Sequence, residues 1–218
     1  MQKTKILFLI ITCYLVAGCV TEDRAGVVEE DMVYREETAP LPAWIPLHER
    51  GTPWLDDLHI AASHDGMNFD ESRLFLHHAG VGHLLLTHDN ALIATFQYFS
   101  YTKEELFNCI AYSISEDSGQ TWSPVRPINL AIPDANLPSA VDPTLVQLAD
   151  GTFRLYFTFH LHGDQFPQLF SAKSGTIDGL FHWEGKQLST EQLILDPAVV
   201  FFGNEWHHYT TPHEASQG

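Results

Sequence analysis

The sequence predicts an all-β body built from repeated units, on three observations. From about residue 54 the chain falls into short apolar or alternating runs, as in HLLLTHDNALIATFQYF, TLVQLADGTFRLYFTF and AVVFFGNEWHHYT. Each is two strand-like runs around Asp-Asn, Asp-Gly or Gly-Asn, which is a hairpin signal. No window of helical length carries a 3.6-residue period, YTKEELFNCI being the stretch that comes nearest. Two motifs then alternate along the chain with one shared period. Asp142-Pro143-Thr144-Leu145-Val146 returns as Asp196-Pro197-Ala198-Val199-Val200, 196 − 142 = 54 residues later. SEDSGQTW at 115–122 returns more loosely as Thr176-Ile177-Asp178-Gly179 with Trp183, and as Ser63-His64-Asp65-Gly66 with Phe69. The aspartates at 65, 117 and 178 are 52 and 61 residues apart, near the ~40–50 of common propeller repeats. The predicted fold is therefore a β-propeller of four-stranded antiparallel blades, incomplete, with about three blades' worth of chain.

In chain order, residues 1–18 place Lys3 and Lys5 before the apolar run ILFLIITCYLVAG. That is the basic and hydrophobic sequence of a secretory signal, and about 14 apolar residues fall short of the ~20 that cross a bilayer. Val16-Ala17-Gly18-Cys19 resembles the lipobox of bacterial lipoproteins. The resemblance implies that the Cys19 thiol is alkylated by diacylglycerol and becomes the mature N-terminus, an anchor of two or three acyl chains that holds stably to a membrane. Val20, where retention rules favour aspartate, points to the outer membrane. Residues 19–53 read as an acidic, proline-containing tether, VTEDRAGVVEEDMVYREETAPLPAWI at 20–45 being its main part.

Residues 54–218 form the expected propeller portion: the outer half of one blade, full blades near 82–130 and 141–190, and the first hairpin of another from 196. In the blade pattern strands one and two are the Asp-Pro hairpin, found at 142 and again at 196, and strands three and four are the hairpin closed by the Asp-centred loop. The two half-blades either pair as a clasp, or the chain is truncated, as the ending HYTTPHEASQG suggests, or a second molecule completes the ring. Open sheet edges of this kind are expected to self-associate.

Charge and cysteine content narrow the function. The net charge is −17, and removal of Lys3 and Lys5 with the acid-free signal makes it −17 − 2 = −19. Such a chain repels phosphate backbones, so nucleic acid is not an expected partner. Of three cysteines, Cys13 lies in the signal and Cys19 is the lipidation site, which leaves Cys109 without an intramolecular partner and most simply a small buried apolar residue. No cofactor is expected.

SEDSGQTW resembles the Asp-box of sialidase-like propellers at all five defining positions, Ser115, Asp117, Gly119, Thr121 and Trp122. Asp65 and the Asp178–Trp183 pair belong to the looser copies. The resemblance implies a structural turn on the outer rim, away from substrate, and the residue types suit it. An aspartate bonds nearby backbone N–H groups, glycine admits a positive φ, and tryptophan packs between sheets. VDPTLVQLADGTFRLYF and LDPAVVFFGNEWHHY resemble the inner strand and hairpin of five-bladed glycosidases such as glycoside hydrolase family 43. That likeness implies that Asp142 and Asp196 face a central funnel as general base or as a helper tuning the acid, the paired-carboxylate chemistry of glycoside cleavage. The glutamate those enzymes add from a later blade has no counterpart, and Asp-Pro also opens strands for purely structural reasons. The arginine triad and Arg-Ile-Pro signature of sialidases are not matched by Arg73, Arg126 and Arg154.

The histidines His160, His162 and His207 follow predicted inner hairpins. With Trp206, Tyr209 and Phe166 they are candidates to stack on or bind sugar rings; three or four converging metal ligands do not follow from linear spacing, and no metal is expected. The function expected from the sequence is that of an envelope-anchored, glycan-active propeller lipoprotein related to glycosidases, with a carbohydrate ligand. A non-catalytic carbohydrate-binding or protein-interaction propeller is the alternative.

Overall fold

The computed structural model describes residues 53–133, 139–188 and 190–213. The signal segment, Cys19, the tether up to residue 52 and the last five residues lie outside the described residues. The body is an all-β, incomplete propeller of four sheets. β1 (Leu58–Ile60) and β2 (Arg73–Leu76) form a hairpin. β3 (Ala79–Leu86), β4 (Leu92–Phe99), β5 (Phe107–Ser115) and β6 (Arg126–Pro127) form the first full blade as an antiparallel meander. After β7 (Leu130–Ala131), the second full blade is β8 (Val141–Gln147), β9 (Phe153–Phe159), β10 (Gln168–Ser174) and β11 (Phe181–Leu188). β12 (Leu193–Phe202) and β13 (Glu205–His213) form a last hairpin.

Burial along each strand reports its place in its blade. LIATFQYF of β4 is buried at every position, as a central strand with sheets on both faces must be. The outer strand β11 alternates buried Phe181 with exposed His182 and partly buried Trp183. Short turns join the strands, and between Phe202 and Glu205 both Gly203 (φ 61°) and Asn204 (φ 72°) are left-handed, the backbone that a two-residue hairpin loop requires. β7 adds a fifth strand, pairing parallel with β11 through Phe181 and His182. The link between the blades is thereby sewn to the outer edge of the second, with Phe181 N–H donating to Asn129 at 2.7 Å.

Three apolar layers join the four sheets. Leu58 and Leu76 of the first hairpin pack with Ala94, Phe96 and Tyr98 of the first blade. Ile93 and Tyr112 of that blade pack with Leu155, Phe157 and Phe170 of the second. Val146, Tyr156 and Leu169 of the second pack with Ile194 and Val199 of β12. Each sheet covers the next, which is how stacked blades bury both faces.

Two alternatives that the sequence left open are decided by the strand pairing. YTKEELFNCI holds only a single-turn 3-10 helix, Glu104–Leu106, before it becomes β5. Pairing with β4 along its whole length outweighs the weak helical pattern, and Cys109 packs at the first apolar layer with its thiol donating to Leu106 at 3.3 Å. Among the described residues, the β1–β2 and β12–β13 hairpins are separate two-stranded sheets, so they form no clasp.

Candidate active site

The Asp-Pro pairs sit in matching interruptions of the inner strands. Pairing of β8 with β9 jumps from Val141–Thr158 to Thr144–Tyr156, and pairing of β12 with β13 jumps from Leu195–Thr211 to Ala198–Tyr209. Asp142-Pro143 and Asp196-Pro197 are left out of the ladders. Proline has no N–H to give a ladder, so a bulge is where a strand tolerates it. Asp142 (φ 54°) and Asp196 (φ 49°) are both left-handed, a region in which aspartate is enriched among non-glycine residues.

A third bulge was not legible in the sequence. Pairing of β3 with β4 jumps from Gly80–Gln97 to His83–Thr95, leaving out Val81-Gly82, and Val81 has φ 47°. A β-branched residue is strained there. Val-Gly shares no letter with Asp-Pro, and only the spacing, 142 − 81 = 61, falls within the range of the other repeats. β3 packs on β8 and β8 on β12, so the three bulges stand side by side.

They edge a cleft of about 450 Å³, whose lining includes Val81, His83, Thr144 and Asp196 together with Asp56, Asp57 and His59. Asp196 is exposed, whereas Asp142 lies behind it with 6 % of its surface accessible. An Asp142 carboxylate oxygen accepts the Asp196 N–H at 3.3 Å, and the Thr144 hydroxyl donates to the Pro197 carbonyl. The two inner strands are thus joined at their bulges. Burial, and next the charge of Asp196, push the Asp142 carboxyl above the ordinary carboxylate range, and the bond from Asp196 N–H offsets this only in part.

The cleft lining also carries titratable groups that sequence reasoning missed, Asp56 and Asp57 because they precede β1 and reach the cleft only through tertiary packing. Burial raises Asp57, but hydrogen bonds from His77 Nδ1 (2.9 Å) and His78 N–H (3.4 Å), with the charges of both rings, outweigh it and hold the carboxyl low. Asp56 is raised by burial and then by Asp57. His83 is partly exposed as a residue, yet its Nδ1 is sealed from solvent and lacks a hydrogen-bond partner, and burial pushes the imidazole down to about 4.

The proposed sugar platform does not gather at this cleft. Trp206 packs against Phe201 with ring centroids 5.0 Å apart, and Trp206 and His207 pair with Phe201 and Val200 toward the 203–204 turn. Because β13 runs without interruption from that turn, both lie at the end of the hairpin opposite Asp196. Tyr209 pairs with Ala198 beside the bulge and is 64 % exposed, but it does not line the cleft. His160 and His162 are exposed in the β9–β10 loop with the half-buried Phe166, and His160 Nε2 bonds the Asp164 carbonyl at 2.9 Å. The arginines do not converge either. Arg73 donates to Gly119 at 2.5 Å, Arg154 holds Glu184 with two bonds at 2.7 and 3.0 Å, and Arg126 is exposed on β6.

SEDSGQTW closes the β5–β6 turn, at the end of the blade away from the bulges. The Asp117 carboxylate accepts from Ser115 Oγ (2.8 Å), Gln120 N–H (3.0 Å), Thr121 N–H (2.8 Å) and Thr121 Oγ1 (2.6 Å). Ser115 Oγ accepts from Gly119 N–H at 2.8 Å, Gly119 has φ 85°, and Trp122 meets Phe75 at 4.9 Å. Ser63 and Asp65 repeat this pattern between β1 and β2, the carboxylate accepting the Met67 and Asn68 N–H groups at 2.9 and 2.8 Å. Between β10 and β11 the phase differs from the expected one. Ser174 ends β10 as Ser115 ends β5, and the Thr176 N–H points to its hydroxyl at 3.4 Å. Thr176 therefore stands in the place of Asp117. Asp178 lies two residues on, and Trp183 is on β11 among Phe157, Phe159 and Phe170.

No family model and no curated protein matches the chain. Solved structures do. A xylan β-1,4-xylosidase from Bacillus halodurans C-125 superposes with a TM-score of 0.58 at 17 % identity, over 74 % of this chain and 33 % of that one. An endo-1,4-β-xylanase from Bacteroides thetaiotaomicron VPI-5482 superposes with a TM-score of 0.56 at 13 % identity, over 73 % of this chain and 59 % of that one. The chain thus spans 33 % and 59 % of the lengths of these two proteins. At these identities the likeness is one of fold, and the class it defines is an incomplete β-propeller.

Proposed function

We propose that the chain is the glycan-active propeller of an envelope-anchored lipoprotein related to glycosidases, and that it hydrolyses glycosidic bonds with Asp142 and Asp196. The observation that carries the reading is the joined pair of bulges, in which Asp196 opens onto the cleft and Asp142 is buried against its backbone. In this arrangement Asp196 takes a proton from water, and Asp142 fixes the position and charge of Asp196 from behind. Glycoside cleavage needs carboxylates at different proton affinities, and burial makes Asp142 differ from a solvated carboxylate. The xylosidase and xylanase likeness makes β-1,4-xylosides the first substrates to try. Hydrolysis of aryl xylosides and xylo-oligosaccharides by the full chain, lost in Asp142→Asn and Asp196→Asn, is the expected result. A chain that binds the sugar without cleaving it would support the non-catalytic reading instead.

Anchoring rests on the signal and on Val16-Ala17-Gly18-Cys19, with Val20 favouring the outer membrane. Mass spectrometry of the protein made in a bacterial host is expected to find a diacylglycerol-modified N-terminal Cys19, and only uncleaved precursor in Cys19→Ser. An unmodified cysteine in the natural sequence would refute the anchor. The exposed hairpin β12–β13 and its free edge fit self-association of this body.

A further inference from the structure

The two ends of the arc are unfinished in complementary ways. The β12–β13 hairpin carries the bulge of an inner strand pair, matching β3–β4 and β8–β9. The β1–β2 hairpin has the form of an outer pair. A single-turn 3-10 helix, Pro53–Leu55, leads into β1 as Glu104–Leu106 leads into β5, and the Ser63–Asp65 loop follows β1 as the Ser115–Asp117 loop follows β5. One end therefore holds strands one and two of a blade, and the other holds strands three and four. Among the described residues, β13 pairs with no strand but β12, and β1 with none but β2.

Exposure marks both gaps. Three residues before the first pair beyond each bulge, Leu92, Phe153 and Trp206 hold equivalent places in the second strand of a blade. Leu92 and Phe153 are 7 % and 8 % exposed, but Trp206 is 45 % exposed, and Tyr209 is likewise exposed where Thr95 and Tyr156 are buried. β4 and β9 each have a third strand alongside, which β13 lacks. At the other end, β3 is only half-buried from Gly80 to Leu85, whereas its counterpart β8 is buried from Asp142 to Val146. The β1–β2 hairpin packs on Phe96 and Tyr98 of β4 and leaves the inner strand of the first blade partly open.

We propose that a second copy of this chain fills both gaps. β13 of one copy pairs antiparallel with β1 of its partner to build a blade from two chains, and the reciprocal contact closes a ring. Two copies supply 2 × 2 full blades and two shared ones, a total of six, within the ~4–8 of closed propellers. The inference deepens the self-association named above and is independent of hydrolysis. In the full blades Leu92 pairs with Ser115 and Phe153 with Ser174. The same register sets Trp206 opposite the partner's Ser63, and Tyr209 opposite the partner's Ile60. Glu205 falls opposite the partner's His64, so no two carboxylates meet across the pairing, where like charges would be destabilising. The partner's β12 then lies beside β3 and brings the partner's Asp196 next to the Val81 bulge, so that each cleft receives a residue from the other copy.

Paired cysteines read this register directly. His207 falls opposite the partner's Ala62, and Cβ atoms so placed, ~4.5–5.5 Å apart, are close enough for a disulfide to form with a small adjustment. In the full chain with Cys109→Ser, the double variant Ala62→Cys and His207→Cys is expected to oxidise to a covalent dimer, and each single variant alone to stay a monomer on denaturing gels. Mixing the two single variants should give the dimer again, which a contact within one chain cannot do. Sedimentation of the full wild-type chain in dodecyl maltoside should give twice the chain mass, and Tyr209→Lys half of that with an unchanged far-UV circular dichroism spectrum. A wild-type monomer, a disulfide closed within one chain, or a ladder of species beyond the dimer overturns the proposal. A monomer that still hydrolyses aryl xylosides would overturn it while leaving the glycosidase reading standing.

Discussion

At position 142 a carboxylate is held at 6 % exposure, at a left-handed φ, against the backbone of a second carboxylate residue. Its proton affinity is raised in the folded state. The stability linked to this group is therefore fully present below the unfolded value near ~3.9 and is lost as pH rises through the higher folded value. At neutral pH the ionised form opposes folding. Asparagine tolerates a left-handed φ and keeps an oxygen for the Asp196 N–H. Asp142→Asn is thus expected to raise Tm at pH 7, by ~2–4 °C for each kcal/mol relieved, with the gain shrinking toward pH 3, while hydrolysis is lost. Thermal melts across that range check it, and a Tm below wild type at pH 7 would contradict the account. An aspartate at this position thus costs stability at neutral pH.

Among elements, the three Asp-box-like loops and the three bulges lie at opposite ends of the strands, which separates what holds the blades from what faces the cleft. Asp117 shows the holding role. The Thr121 hydroxyl, then the Thr121 N–H and the Ser115 hydroxyl, pull its carboxyl down to about 2. A lowered carboxylate contributes stability above its unfolded value, and that contribution fades as pH falls through the folded one. Asp117→Ala should lower Tm at pH 7 and leave kcat/KM of the folded protein unchanged, with the Tm difference narrowing from about pH 4 to about 2. A variant as stable as wild type but inactive would overturn the structural role.

The same elements show what the sequence could and could not reveal. Asp142-Pro143 and Asp196-Pro197 were legible because proline restricts where a strand can carry it. Val81-Gly82 was not, since a bulge is a backbone event without fixed composition. The loop after β10 stands where the repeat predicts an Asp-centred turn, but its repeated geometry follows Ser174 rather than Asp178. Position beside a predicted inner hairpin puts Trp206 and His207 near ligand, whereas the cross-hairpin pairing of β13, which linear sequence does not reveal, carries them to the far turn.

Among the described residues, four sheets stacked through three apolar layers make an open arc. One end of the arc is β12–β13, where Phe201, Trp206 and Tyr209 are exposed and Phe202 is 75 % exposed. The net charge of −17 works against association of such surfaces. The arc still brings parts from three sheets and the turn before β1 to one place: the bulges of β3, β8 and β12, with Asp56 and Asp57 lining the same cleft. The claim that this place cleaves glycosides is tested most directly by the kinetics of the full chain on aryl xylosides. Turnover by the wild type that falls ~10²–10⁴-fold in Asp196→Asn is the predicted result, and turnover that persists unchanged in that variant would contradict it.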